Sequence, residues 1–393
     1  MHTTRFRLAL ATALAAATGL VTFAGAAEVA FAEASPTTAT VIDIGRVVPE
    51  GHGGSAADVS DSGILAGHEY VLPYSAAAFV WRNGTATVIP VSGTVSAVNN
   101  AGVVVGSTEA HYNHQAFVYR NGTVTLLSYL GGDSRYPSGY DSRAVDVNAA
   151  GIVVGSSTTN GGDGHDHAFV YSAGRMHDLG TLPGGQNSSA SAVNLAGVIV
   201  GASGTAGGAQ HATMWIGRRP IDLGTLGGAN SYAVDVNDVG QVVGYSETPS
   251  GAIHAFSVRS GRMVDLGSGN DTESRAVAVN DRGQVLVAGY RGTVPAHGFV
   301  WYDGRRTDLG GLGGGSTRPV AINGRGQVAG IATLPGGDER AFRWDNGLIT
   351  TLPVLPGGHD AKATSINLRG DVAGSATLAT GDSHAVLWPA ASR

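Results

Sequence analysis

From residue 41 onward the apolar residues of this chain come in short runs, and nearly every run stops at a turn built from Gly, Asn, Asp or Ser. In one representative stretch, His254-Ala-Phe-Ser-Val meets a turn at Ser260-Gly261, and Val264-Asp-Leu-Gly follows. Next come the run Ala276-Val-Ala-Val, the turn Asn280-Asp-Arg-Gly and the run Val285-Leu-Val. Runs of this length bounded by turn residues read as β-strands. Asn starts such a turn by bonding its own backbone, and Gly takes the left-handed position. The pairs Asn83-Gly84, Asn121-Gly122, Ala173-Gly174, Ser260-Gly261, Asp303-Gly304 and Asn346-Gly347 each predict a tight hairpin.

The same phrases return roughly every 43 residues, so the chain is read as a repeat before anything else. Asn-x-x-Gly opens at Asn99, Asn148, Asn194, Asn237, Asn280, Asn323 and Asn367, with Ser60 in the first copy. A His-Ala-Phe-like run occurs at Ala77, Gln115, His167, His211, His254, His297, Arg340 and His384. An Asp-Leu-Gly-like run lies near Val88, Leu126, Asp178, Asp222, Asp265, Asp308 and Thr351. The third phrase lacks an eighth copy at the C-terminal end, while Val41-Ile-Asp-Ile-Gly stands unpartnered at the other end. A circular arrangement accounts for both facts, because the N-terminal run supplies the strand the last unit lacks. Strand three of each unit is apolar on both faces, as at Phe299, Val300 and Trp301, so neighbouring sheets must cover it on each side. The reading is an all-β β-propeller of eight four-stranded blades closed by the N-terminal strand. Seven blades or an open β-solenoid are the alternatives.

Composition narrows the setting. Residues 1–32 carry Arg5 and Arg7, an apolar Ala-rich run and Ala-x-Ala-like sites, the layout of a secretory signal peptide. Residues 33–40 read as a short linker, and residues 41–393 as one repeat domain. No later segment is apolar enough to span a bilayer, so the mature chain is expected to be extracellular, without a membrane span, and a monomer. Cysteine is absent, so packing and strand pairing must hold the domain. The net charge of −6 and scattered arginines leave no footprint for nucleic acid.

The His-Ala-Phe triplet, the phrase Asp222-Leu-Gly-Thr-Leu-Gly-Gly228 and the phrase Asn-x-x-Gly-x-Val-x-Gly together resemble the HAF family of extracellular repeat proteins of bacteria. The resemblance covers the whole chain after the N-terminal segment, although the first two units lack the His and the Asp-Leu-Gly wording. It implies export and a repeat fold, and it supplies no catalytic residues.

Chain direction assigns the loops. The Asn-x-x-Gly turns and the Asn-Gly hairpins fall on one face of the ring, and the longer links fall on the other. Scaffolds commonly carry function on such longer loops. Departures from the repeat cluster there in units two and three. Tyr112 lies in one link, Asp133, Tyr136, Tyr140 and Asp141 in the next, and Asp163, His165 and Asp166 in the third. Tyr112, Asp133, Tyr136, Tyr140, Asp163 and His165 are the candidate ligand-binding residues. A sugar ring would stack on the tyrosines while the carboxylates bond its hydroxyls.

The recurring histidines sit one per unit, which cannot place several ligands around one ion; they are expected to bond backbone at the blade edge. Neither a metal nor a cofactor is expected. Asp178, Asp222, Asp265 and Asp308 recur with the strand, whereas a glycosidase needs one unique carboxylate pair. The sequence has no Gly-x-Ser-x-Gly elbow, His-Glu-x-x-His helix or phosphate-cradling loop. The expectation is a secreted, non-catalytic binding or scaffold propeller engaging a glycan, a cell-envelope polymer or a protein. The alternative is an extracellular carbohydrate-active enzyme, a hydrolase or lyase, on the same scaffold.

Overall fold

The computed structural model describes residues 40–71, 75–109, 114–130, 141–159 and 165–390, and all regular structure among them is β-strand. The strands form antiparallel meanders, each running from an inner strand to an outer one. Blade five is representative, with strands Ser231–Val236, Val242–Glu247, Ile253–Arg259 and Arg262–Asp265 in that order across the sheet. There are eight such blades. The inner strands touch one another in sequence around the ring, and Gly51–Val59 of blade one meets Ala361–Ile366 of blade eight.

Closure follows the circular reading. Ile42–Asp43 is the outer strand of blade eight and pairs antiparallel with Ser383–Trp388, Ile42 opposite Leu387 and Asp43 opposite Val386. Ile44 N–H donates to the Ala385 carbonyl at 3.0 Å. Blades one and two differ from the expected separate sheets. Thr85–Val98 runs unbroken as the outer strand of the first and the inner strand of the second, giving one seven-stranded sheet. No turn interrupts the chain between these two blades.

The hairpins form as their sequences require. Asn83, Asn121, Ala173, Ser260, Asp303 and Asn346 have φ between 48° and 51°, and the glycine after each is also positive. That is the type I′ geometry whose twist matches the flanking strands. Each inner strand carries a bulge, as between Ala233 and Asp235. Phe79, Phe117, Phe169, Phe256, Phe299 and Phe342 are fully buried between blades. Most of them sit opposite a glycine of the second strand, Gly244 facing Phe256 in blade five. A Cβ on Gly244 would collide with the Tyr232 carbonyl and come within 2.8 Å of the Phe256 ring. The glycine of the repeated Val-Gly phrase therefore makes room for the aromatic ring.

Candidate functional site

The groups that recur most conspicuously are occupied by the frame. The histidines bond the Asp of the Asp-Leu-Gly phrase rather than backbone, which corrects the sequence expectation. His167, His211 and His254 each place Nδ1 at 2.9 Å from Oδ2 of Asp178, Asp222 and Asp265. The same aspartates accept the N–H of Gly180, Gly224 and Gly267. In blade eight the clasp joins the two ends of the chain, His384 Nδ1 lying 2.8 Å from Asp43 Oδ1. A histidine opens the third strand and its aspartate closes the outer strand, so antiparallel pairing brings them together, and the carboxylate is a stronger acceptor than a carbonyl. Burial pushes the Asp178 carboxyl up. The His167 hydrogen bond, the Gly180 N–H and the His167 charge outweigh it and hold the group below the usual carboxylate range. Blade six differs: His297 bonds Asp271 at 2.9 Å, and Arg306 holds Asp308.

The inner strands are stitched just as regularly. Ser142, Ser188, Ser231 and Ser274 accept the N–H of the alanine in the preceding blade's His-Ala-Phe-like run. Asn99 Nδ2 donates to the Asn148 carbonyl, Asn148 to Asn194, Asn194 to Asn237, and so on to Asn367, which donates to Ser60. Asp146 accepts from Val147 and from Val193 of the next blade, and Asp235 does the same with Val236 and Val279. Burial raises the Asp146 carboxyl to about 6 against the lowering effect of those N–H groups, with the charges of Asp235 and Asp58 adding to the rise. Burial likewise raises Asp235. A cavity of about 400 Å³ opens among the Asn turns. Its Asn side chains are committed to the ring, which leaves little for a ligand.

The described part of the longer-loop face of blades two and three is less regular. Asp141, Arg143, Ser156 and Asp166 line a cavity of about 310 Å³. Arg143 Nη2 lies 3.0 Å from Asp141 Oδ2 and 3.0 Å from His114 Nδ1, and that imidazole nitrogen is 3.3 Å from the same carboxylate oxygen. The Thr158 hydroxyl is within hydrogen-bond distance of both Asp166 Oδ1 and the Asp141 carbonyl, and its one proton serves one of them at a time. Asp141 N–H donates to the same hydroxyl oxygen. Burial raises the Tyr129 phenol, and the Asp141 charge raises it further. A fork-shaped cation and two carboxylates thus share one solvent-open hollow, and an imidazole is bonded to the cation and to one of the carboxylates.

Of the residues expected from sequence, His165 directly precedes Asp166 in the chain, its Nδ1 3.3 Å from Asn187 Oδ1. Tyr112, Asp133, Tyr136, Tyr140 and Asp163 lie outside the described residues. Asp141 and Asp166 stand where the loop argument put them. His114 escaped it, because it stands just past the end of the Tyr112 link. Arg143 was not among the candidates; the signal was its place in the inner strand, where neighbouring blades carry Thr94 and Ser189. Among the described residues no group of three or more His, Asp or Glu is placed to hold a metal ion.

No family model matches the chain, and no curated protein is similar to it. Solved structures are. A prolyl endopeptidase is similar over 83% of this chain and 54% of its own, with TM-score 0.52 and 12% identity. TolB from Acinetobacter baumannii is similar over 72% of this chain and 79% of its own, with TM-score 0.35 and 10% identity. A puromycin-hydrolyzing peptidase of Mycobacterium tuberculosis is similar over 85% of this chain and 51% of its own, with TM-score 0.44 and 14% identity. The chain spans about half the length of the prolyl endopeptidase. At such identity the likeness concerns the fold, and it agrees with the sheet order. The protein is a β-propeller scaffold.

Proposed function

We propose that this propeller is an exported, non-catalytic binding or scaffold protein that engages a glycan, a cell-envelope polymer or a protein through its longer-loop face at blades two and three. The supporting observation is the hollow lined by Asp141, Arg143 and Asp166, with His114 bonded to Arg143, where polar groups depart from the repeat on the longer-loop face. A guanidinium fork binds carboxylates and hydroxyls with fixed geometry, and the aspartates accept sugar hydroxyls. The recurring His and Asp side chains are engaged in clasps, which weighs against a repeated catalytic role. The N-terminal basic and apolar segment supports export.

The test is a glycan and cell-wall array run beside a hydrolysis panel, with the monomer state checked by light scattering. Binding without product release is expected, and Asp141→Asn combined with Arg143→Gln should weaken it at least about tenfold with little change in melting temperature, since both side chains are partly exposed. Unchanged binding in that variant would sink the assignment of the site. Product release abolished by Asp166→Asn alone would replace the binding reading with the hydrolase one.

A further inference from the structure

The opposite face, which carries the short turns, shows a different chemistry. The outer strands of blades three to six are four residues long, and each begins with arginine and ends with aspartate: Arg175–Asp178, Arg219–Asp222, Arg262–Asp265 and Arg305–Asp308. Such a strand spans about 13 Å, so it delivers opposite charges to opposite faces. Arg82 and Arg120 extend the arginine series through blades one and two, and all six side chains are exposed. None of the six makes an ion pair among the described residues. On the longer-loop face, Arg46, Arg143, Arg275, Arg291, Arg340 and Lys362 each meet a carboxylate within 4 Å. A chain of net charge −6 therefore displays exposed arginines without ion-pair partners on one side of six of its eight blades, with Asp303 in the hairpin beside Arg305. The exposed aspartates at the centre of that side, Asp61, Asp238 and Asp281, accept backbone N–H groups from the neighbouring turn.

Apolar tips project from the same face. Leu195 and Val239 occupy Asn turns, and Ile216, Tyr302 and Leu348 flank the outer hairpins, with Val239 at 72% exposure and Leu195 at 57%. A soluble polyanion would account for the arginines and leave these tips unexplained. An anionic lipid surface uses both: guanidinium groups pair with headgroup phosphates, and apolar side chains enter the boundary between headgroups and acyl chains. We propose that the short-turn face docks on an anionic bilayer, which turns the longer-loop face outward. This stands apart from the ligand reading above, because it concerns the opposite side of the ring.

The experiment uses the chain from Thr38 onward, which contains the complete ring and leaves out the apolar N-terminal segment. It is sedimented with phosphatidylcholine vesicles with or without phosphatidylglycerol, and retention on heparin is measured in parallel. Binding is expected only with phosphatidylglycerol, weakening at least about tenfold from low to physiological salt. The variant Arg175→Gln, Arg219→Gln, Arg262→Gln and Arg305→Gln should lose vesicle binding while keeping its melting temperature. Leu195→Ser with Val239→Ser should weaken vesicle binding several-fold and leave heparin retention unchanged. Arg275→Gln with Arg340→Gln, on the other face, should bind as the parent does. The idea fails if phosphatidylglycerol vesicles are not bound, if the four-arginine variant binds them as well as the parent, or if heparin alone retains the protein.

Discussion

The Asn237 amide is engaged at both ends. Its Nδ2 donates to the Asn280 carbonyl of the next blade at 2.9 Å, and its Oδ1 accepts from Gln241 N–H within its own turn at 2.8 Å. One side chain thus shapes a hairpin and sews two blades together while buried. Asn237→Asp keeps the acceptor and turns the donor into an oxygen facing a carbonyl, so it should cost on the order of 2–3 kcal/mol, shown by a lower urea midpoint at unchanged slope. A loss below about 0.5 kcal/mol would show that the ring of asparagines adds little. Half of this was legible in the sequence. The turn role follows from Asn-x-x-Gly itself, whereas the second bond reaches a residue 43 positions away and depends on how blades stack. The His–Asp clasps follow the same logic: His254 and Asp265 are 11 residues apart, and only strand pairing brings them together.

Strands were legible because each is bracketed by turn chemistry, and the unpaired Val41 run was legible because a repeat can be counted. The continuous strand Thr85–Val98 was not, since what distinguishes it is a turn that fails to form. The rim site was legible as a location and only partly as residues. Loop position follows from chain direction, but the partnership of His114 with Arg143 arises from side chains of two adjacent blades. Within blade eight, the two-residue strand Ile42–Asp43 covers the edge of Ser383–Trp388, which would otherwise present unpaired N–H and C=O groups. Removing residues 1–45 should therefore lower the melting temperature and produce concentration-dependent association in light scattering. A truncated chain that stays monomeric and as stable as the parent would show that the closing strand is dispensable. Asp43→Ala, which removes the clasp and keeps the backbone pairing, should fall between the two.

Across the ring, one clasp aspartate and two buried inner-strand aspartates oppose each other in their response to pH. For the clasp residue Asp178 the folded-state value is depressed, so its contribution is present above the unfolded value near 3.8 and is lost as pH falls through the folded one. The buried inner-strand residues Asp146 and Asp235 have raised values. Their contribution is present below the unfolded value and is lost as pH rises, through about 6 for Asp146. Stability should accordingly decline between about pH 4 and pH 7 on account of these buried inner-strand carboxyls, and decline again below about pH 4 on account of Asp178. For Asp146 the loss should be on the order of 2 kcal/mol. Equivalent positions carry Ala97, Ala192, Ala278 and Ala321, so the frame accommodates alanine there. Asp146→Ala with Asp235→Ala should therefore fold, lose two pairs of backbone hydrogen bonds, and show a flatter stability profile between pH 4.5 and 8 in urea titrations. Parallel profiles for parent and variant would mean that these carboxyls titrate alike in the folded and unfolded chain, and the two aspartates would then have no part in the pH response.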